Sequence, residues 1–280
     1  MAFSLSRLFG VAPPLVPVVR LAGPIFSGGG PLRRGLSLAR VAAPLERAFK
    51  MKGAEAVALL INSPGGSPVQ SALIGQRIRQ LAQEKEIPVL AFVEDAAASG
   101  GYWLACAADE IYVDASSIVG SIGVVSAGFG LQDAIAKLGI ERRVYTAGTR
   151  KVILDPFQPE REEDVAHLRA LQAEIHGGFK DWVMSRRGDK LRTEEEDLFS
   201  GAFWTGKRGV ELGLADGIAD PRSHLRARFG EKVRMVAMER KRGLLSGLSG
   251  GGRSEARFDQ LAPALIDALD ERLAWQRIGL

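Results

Sequence analysis

A single serine, Ser99, stands in a run of small residues, Ala96-Ala97-Ala98-Ser99-Gly100-Gly101, between an apolar strand-like segment and an apolar, helix-compatible one. Because so little side-chain bulk surrounds it, another chain could approach its hydroxyl closely. The N–H groups of Gly100 and Gly101 would lie at the start of a helix, where unpaired donors favour an oxyanion. The same position suits a helix N-cap. This window alone therefore leaves two roles open for Ser99, nucleophile and cap.

Two further turns rich in small residues follow predicted strands. They are Asn62-Ser63-Pro64-Gly65-Gly66-Ser67 and Gly120-Ser121-Ile122-Gly123. Ligands of open α/β sheets gather at the carboxyl ends of the strands, so all three turns are candidate parts of one site. A serine nucleophile there needs a base and hydrogen-bond donors for an oxyanion. The amides of Gly66 and Gly100 are the candidate donors.

The pattern does not favour a histidine as the base. His167, His176 and His224 fall in predicted helices among charged residues, and no turn or strand end aims them at Ser99. Lys151 is the alternative, since it lies in a loop that leaves a predicted strand and is followed by Val-Ile-Leu. Burial among apolar side chains favours a neutral amine that accepts a proton, and Ser–Lys pairs are a known variant of the triad. An ordinary exposed lysine is the competing interpretation, and composition alone favours it.

The 280 residues carry a net charge of +4, with 46% hydrophobic and 25% charged residues, which is typical of a globular protein with a substantial core. The one cysteine, Cys106, excludes an intrachain disulfide and is expected to pack as a small hydrophobe. No His or carboxylate cluster indicates a metal. Basic residues concentrate in 1–50 and 226–257, which would suit an anionic membrane surface or nucleic acid or, more simply, indicates solvated surface charge.

Strands and helices alternate along the first 150 residues, which predicts an α/β fold. Pro17 should place the first strand at a sheet edge or lie near that strand's start. The predicted strands are Leu15–Leu21, Ala54–Ile61, Pro88–Val93, Ile111–Val113, Ile118–Val125, Arg142–Tyr145 and Lys232–Ala237, with a strand–helix–strand unit across Phe203–Gly217. The predicted helices are 38–51, 68–84, a segment after Ser99, Leu131–Leu138, 160–187 and Pro221–Phe229.

The ends of the chain are expected to differ from its centre. Residues 1–13 are interpreted as a loose leader, 14–242 as one domain, 243–254 as a Gly/Ser-rich linker and 255–280 as an amphipathic C-terminal helix. No segment has the roughly 20 apolar residues of a membrane span, and no secretory signal is indicated. The expected location is the cytoplasm, with peripheral contact at the inner membrane left open.

Read together, the motifs resemble the signal peptide peptidase A family of serine peptidases, including its short SohB-like members. The resemblance spans residues 15–237 and rests on segments that occur in the family's order. These are Ile61-Asn-Ser-Pro-Gly-Gly-Ser67, Ala98-Ser-Gly-Gly-Tyr102, Gly120-Ser-Ile-Gly-Val124, the Lys151 loop, Phe203-Trp-Thr-Gly206 and Leu212-Gly-Leu-Ala-Asp-Gly217. The family shares the Clp-protease/crotonase fold, so the resemblance implies a layered β-β-α superhelix, here with a C-terminal helical tail.

The resemblance also implies a mechanism and partners. Ser99 would be the nucleophile, Lys151 the general base, Gly66 and Gly100 the oxyanion donors, and Ser121 a residue that orients the lysine. No metal or other cofactor would be needed. The substrates would be peptides, either signal-peptide remnants or other unfolded or hydrophobic ones, and nucleic acid is not expected. A homo-oligomer with shared active sites is implied as well.

Two other functions remain open at this stage. The same fold occurs in crotonase-like enzymes that act on acyl-CoA thioesters with paired oxyanion amides, because a fold does not fix a function. The basic ends would also suit a non-catalytic scaffold at a membrane surface.

Overall fold

The computed structural model describes residues 13–26, 35–148, 150–192, 195–238 and 272–280. Their contacts divide into two compact units. The first consists of Met1–Ile122 together with Trp182–Leu280, and the second is Gly123–Asp181. The first unit contains a sheet with helices, while the described residues of the second form helices and loops.

An eight-stranded sheet organises the first unit. Its strands are β1 (Leu15–Ala22), β2 (Val57–Ser63), β3 (Val89–Ala98), β4 (Glu110–Val113), β5 (Ile118–Gly120), β6 (Phe203–Thr205), β7 (Gly217–Ile218) and β8 (Arg234–Ala237). The main path is β6-β5-β3-β2-β1-β8, and β4 branches from β3 to pair with β7. Every pair is parallel except β5–β6. The predicted α/β class is therefore confirmed.

The helices complete the layers. They are α1 (Leu38–Phe49), α2 (Pro68–Lys85), α3 (Gly100–Ala105), α4 (Gln132–Lys137), α5 (Glu162–Arg187), α6 (Glu195–Leu198), α7 (Gly206–Glu211) and α8 (Pro221–Phe229). The central strands are buried along almost their whole length, which explains why β2 and the first half of β3 read as continuous apolar runs. Cys106 is fully buried at the end of α3, and burial raises the pKa of its thiol to about 12, so it packs as predicted.

Of the two positions predicted for Pro17, the structure has the second: β1 lies between β2 and β8 and is not an edge strand, but Pro17 is near its start and precedes the β2 ladder, which begins at Val18. Two other predicted strands need correction. Strand β3 continues past Val93 to Ala98 because it gains a second neighbour, β5. Strand β5 itself stops at Gly120, where Gly120 (φ +103°) and Ser121 (φ +55°) leave the extended region.

The third correction concerns the second unit. Residues 142–145 form no strand there, since the described part of that unit offers no other strand to pair with. Instead the Arg142 guanidinium binds the carboxylate of buried Asp155 at 2.9 Å and lies 5.2 Å over the Phe157 ring. These contacts join the two ends of the loop that carries Lys151.

Several expectations fall outside the described residues. They are the leader up to residue 12, the linker at 243–254 and most of the predicted C-terminal helix. Of that helix, residues 272–276 are described and helical. Just beyond them, Ile278 is buried in a cluster with Ala96 and Ala98 of β3.

Candidate active site

Ser99 lies where β3 ends and α3 begins, and the backbone holds it in an unusual conformation. Its N–H donates to the Gly120 carbonyl at 2.8 Å, which extends the β3–β5 ladder by one bond. Its own carbonyl accepts from the N–H groups of Tyr102 and Trp103 at 2.9 and 3.0 Å. Between these anchors Ser99 adopts φ +51° and ψ −121°, which a residue with a side chain rarely does. Strained strand-to-helix turns of this kind can present a nucleophile at the carboxyl ends of the strands of a sheet.

The hydroxyl of Ser99 does not act as a helix cap. Ser99 stands at the N-cap position of α3, yet its side chain makes no capping hydrogen bond. At the starts of α2, α7 and α8 the side chains of Ser67, Thr205 and Asp220 each accept from a backbone N–H three residues on. The cap interpretation thus fits the position of Ser99 but not its hydroxyl.

The turn after β2 packs directly against the Ser99 turn, and glycine makes the approach feasible. A Cβ built on Gly65 would lie 2.7 Å from the Gly100 nitrogen and 2.8 Å from the Cβ of Ser99. One built on Gly66 would clash with the Ile25 carbonyl oxygen. Both glycines have positive φ, +98° and +140°. Only residues without a Cβ fit here.

This packing brings two backbone donors together beside Ser99. A Cβ on Gly100 would lie 3.3 Å from the Gly66 nitrogen. Across the described ranges, neither the Gly66 N–H nor the Gly100 N–H has a hydrogen-bond acceptor. Unpartnered N–H groups at a helix start are suited to binding an oxyanion.

Ser121 occupies the matching place on the neighbouring strand. Ala98 and Gly120 are partners in the β3–β5 register, so Ser99 and Ser121 are the next residues along each strand. Ser121 is also held at positive φ, and its N–H donates to the Ala202 carbonyl at 2.7 Å. Ser99, Gly66, Gly100 and Ser121 therefore belong to one edge of the first unit.

Lys151 belongs to the second unit. Its side chain is exposed, which matches the interpretation that composition favoured. Its loop is closed by the Arg142–Asp155 pair, and the Phe157 N–H adds a hydrogen bond of 3.0 Å to the same carboxylate. The N–H bond from Phe157 and the pairing with Arg142 lower the pKa of Asp155, which favours the charged form in this contact.

The three histidines, none of which is expected to act as the base, are divided between the two units: His224 belongs to the first and His167 and His176 to the second. His167 is exposed and His176 partly exposed on α5. The His224 ring on α8 lies against the Tyr112 ring in a tilted arrangement, with 4.0 Å between the ring centroids. Among the described residues there is no group of three or more His, Cys, Asp or Glu side chains that could hold a metal.

Sequence reasoning missed one polar contact beside the Ser99 turn. Asn62 belongs to one of the predicted small-residue turns, but its side-chain oxygen also accepts from the Ala96 N–H at 3.2 Å. A short polar residue directly after an apolar strand is the sequence feature that could have indicated this contact.

Among the helices of the described ranges, none combines the length and the apolar character that crossing a membrane requires.

Comparison with known proteins gives a family match. The model of peptidase family S49 matches residues 81–227, slightly more than half of the chain. A chloroplastic serine protease SPPA of Arabidopsis thaliana is 30% identical over 91% of this chain. A protein of Brucella abortus named as the Na(+)/H(+) antiporter NhaA is 52% identical over 99% of this chain.

The chain spans only 39% and 38% of the lengths of these two relatives. The antiporter name describes a protein of which more than half lies outside the alignment, so it is not transferred. Among solved structures, a membrane-bound stomatin-specific protease, a lysine-to-alanine mutant in complex with a substrate peptide, has a similar fold. The TM-score is 0.53 at 17% identity, over 82% of this chain and 94% of that one. The Clp-protease-like fold is thereby confirmed.

Proposed function

Because the chain belongs to peptidase family S49, the family of signal peptide peptidase A, we propose that it is a serine endopeptidase with a Ser99/Lys151 dyad. One observation carries the proposal most directly. Ser99 lies on a strained turn and its hydroxyl makes no capping bond, and close to that turn lie the N–H groups of Gly66 and Gly100, which have no acceptor within the described part of the chain. Acyl transfer requires a nucleophile and an oxyanion hole close to each other in space.

The reaction proceeds through an acyl-enzyme. The neutral amine of Lys151 takes the proton from the Ser99 hydroxyl as Oγ attacks the peptide carbonyl carbon. The Gly66 and Gly100 N–H groups donate to the oxyanion that forms, and Lys151 then gives its proton to the leaving amine. Water attacks the resulting ester with Lys151 again as the base, which releases the second product as a carboxylic acid and restores Ser99.

Lys151 needs a less solvated setting during catalysis than the one described here. A lysine accepts a proton only when its neutral form is populated, and loss of water around the amine favours that form. Lys151 is exposed in the single chain, so a bound peptide or a second copy must supply this cover. Ser121, which stands beside Ser99 in the strand register, is proposed to hold the amine through its hydroxyl.

Surface features of the second unit support a homo-oligomer with shared active sites. Phe129 is 83% exposed and Tyr145 is 90% exposed, and Leu138 and Ile140 are also exposed. Apolar side chains exposed together in one stretch of the chain suit a surface that a partner covers, because contiguous apolar patches mark interaction sites. We therefore propose that a second copy packs on the second unit. The proposed substrates are unfolded or hydrophobic peptides, including signal-peptide remnants, and peripheral contact with a membrane remains part of the proposal.

A covalent probe tests the nucleophile and the base separately. A fluorophosphonate should label the wild-type protein at Ser99, as located by peptide mass mapping, and Ser99→Ala should not be labelled. Lys151→Ala should lower the labelling rate by about 10³-fold, because the serine then has no base. Lys151→Arg replaces the amine by a guanidinium that stays protonated and supplies no base, so it should be equally slow. Labelling at another residue, or an unchanged rate in Lys151→Ala, would contradict the dyad.

Mixing experiments test the shared site. If Ser99 and Lys151 from different copies work together, Ser99→Ala and Lys151→Ala proteins mixed and co-refolded should regain peptide hydrolysis that neither has alone. A mixture that forms oligomers by light scattering but stays inactive would show that each copy uses its own pair.

A further inference from the structure

Strand β3 changes neighbours in its middle, just before it delivers Ser99. Its first half, up to Val93, pairs with β4, whereas Ala96–Ala98 pair with β5. On the other side the register with β2 shifts between Ile61 and Ser63. Glu94 and Asp95 therefore have no regular ladder partners on either side. A gap of this kind leaves the position of the following residues to other contacts.

Asn62 fills the gap on the β2 side. Its side-chain oxygen accepts from the Ala96 N–H at 3.2 Å, and its side-chain nitrogen donates to the Asp95 carboxylate. Its main-chain carbonyl accepts from the Gly23 N–H at 2.9 Å, which fixes Asn62 to the end of β1. It is the only asparagine in the 280 residues. Its side chain replaces a missing ladder bond.

Ser117 closes the gap on the opposite side. Its hydroxyl donates to the Glu94 carbonyl at 2.6 Å and accepts from the Asp114 N–H at 3.0 Å. Two side chains thus hold a stretch of β3 in which the backbone ladder is interrupted. From Ala96 onward the strand runs straight to the bond between the Ser99 N–H and the Gly120 carbonyl.

We infer that Asn62 is a positioning residue for Ser99. The side-chain amide of Asn62 forms hydrogen bonds with Ala96 and Asp95 and so sets the register of Ala96–Ala98 against β5. This register keeps the Ser99 turn in its strained conformation. This inference rests on the proposed role of Ser99 as the nucleophile. It concerns where Oγ stands, and Asn62 itself does not touch the substrate.

The chemistry of the site explains why an amide is required. The Ala96 N–H needs an acceptor and the Asp95 carboxylate needs a donor, and one amide group supplies both. In Asn62→Asp the acceptor is kept, but a second carboxylate faces Asp95 and the donor is lost. In the double variant Asn62→Asp/Asp95→Asn the donor and acceptor are exchanged, since the new amide at 95 can donate to the new carboxylate at 62. The same contacts are restored with reversed roles.

The test compares these variants by fluorophosphonate labelling and by peptide turnover. Asn62→Asp should lower the labelling rate and kcat by about 10- to 100-fold, with KM changed less than threefold, since a small misplacement of reacting atoms has effects of this size. The double variant should recover to within about threefold of the wild type, and Asp95→Asn alone should stay near it. Asp220→Ala, which removes the cap of α8, is the control for a general loss of stability. It should not change the labelling rate.

Amide hydrogen exchange provides a readout that does not depend on activity. Asn62→Asp should speed exchange in the segment 96–101, including the Ser99 N–H, and the double variant should slow it again. If the wild-type protein is not labelled at Ser99, the proposed function fails, while the exchange result still decides the role of Asn62. Unchanged exchange in Asn62→Asp overturns the inference, as does a wild-type labelling rate in that variant.

Discussion

Ser67 and Ser99 each begin a helix after a parallel strand, and the two strands, β2 and β3, are neighbours in the sheet. The Ser67 hydroxyl accepts from the Gln70 N–H at 3.4 Å and so caps α2. The hydroxyl of Ser99 makes no such bond. Their backbones differ as well, since Ser67 has φ −53° and Ser99 has φ +51°. Sequence context alone does not separate a serine that stabilises a helix from one that is available for chemistry.

The difference arises from what each turn is attached to. The Ser67 N–H donates to the Ile25 carbonyl, and Pro68 begins α2 in a conformation suited to a first helical turn. Ser99 is instead drawn toward β5 by the Gly120 carbonyl, while α3 starts at the very next residue. The chain must therefore turn within one residue, and the Ser99 side chain makes no bond to its own helix start. The cost in backbone strain is about 1 to 3 kcal/mol.

The largest expected effect is on activity at one of these two serines. Ser99→Ala should lower peptide turnover by at least about 10³-fold, because removing a nucleophile has effects of this order. Ser67→Ala should keep turnover within about threefold and lower the free energy of unfolding by about 1 kcal/mol, the usual cost of losing a cap. Both are measured by peptide hydrolysis and urea unfolding of the same preparations. Turnover lost in Ser67→Ala without loss of stability would remove the distinction.

A second prediction concerns Gly66, which precedes Ser67 in the chain and lies close to the turn that carries Ser99. Gly66→Ala should lower kcat by about 10²-fold, since the new Cβ would clash with Ile25 and shift the Gly66 N–H away from the oxyanion. Gly53 is the matched control, because it also has positive φ (+77°) but nothing lies within 4 Å of an added Cβ. Gly53→Ala should be mildly destabilised and fully active. Equal activity in the two variants would argue against an oxyanion role for Gly66.

The sequence predicts the three small-residue turns because each follows an apolar run that is recognisable as a buried strand. It does not predict the second half of β3, since Glu94 and Asp95 interrupt the apolar pattern and the strand continues only through Asn62, Ser117 and β5. The positive φ of Ser99 arises from the same long-range pairing. These features depend on residues distant in sequence, so no local pattern contains them.

The Lys151 loop shows the same limitation in the second unit. Residues 142–145 are predicted to form a strand, but Arg142 pairs with Asp155 instead and closes a loop. The proposed role of Lys151 rests on the family resemblance, which local patterns could not supply. The general burial of Cys106, by contrast, follows from its alanine-rich surroundings alone.

A third prediction uses pH to test the ion pairs close to the contact that holds the Ser99 helix. The Tyr102 hydroxyl of α3 donates to the Leu214 carbonyl at 2.8 Å, and nearby Asp216 is bound by Arg187 and Lys190 at 2.6 and 2.7 Å. Burial by itself would raise the pKa of Asp216, but the bonds from Lys190, the Ile111 N–H and Arg187 outweigh it and lower that pKa.

The sign of the pH dependence follows from this lowered pKa. The carboxylate stabilises the fold above the ordinary value of about 3.9, and the contribution is lost as pH falls through the folded-state value. Asp216→Asn should therefore lower the free energy of unfolding by about 1 to 3 kcal/mol at pH 7, the range for hydrogen bonds to a charged group. The difference from the wild type should shrink toward pH 3 in urea titrations. A difference that stays constant across this range would show that the charge of Asp216 is not the cause.

The smallest expected effect is a change in the free energy of unfolding when each serine is replaced by glycine. It separates the two serines most directly, because the change should have opposite signs at the two positions. Ser99→Gly should raise the free energy of unfolding by about 1 kcal/mol, since glycine adopts the Ser99 backbone conformation without strain. Ser67→Gly should lower it by a few tenths of a kcal/mol through loss of the cap. Ser99→Ala serves as the control, because it loses the hydroxyl but keeps the strain. If Ser99→Gly is no more stable than Ser99→Ala, the turn is not strained in solution, and Ser99 is presented by the β5 contact alone.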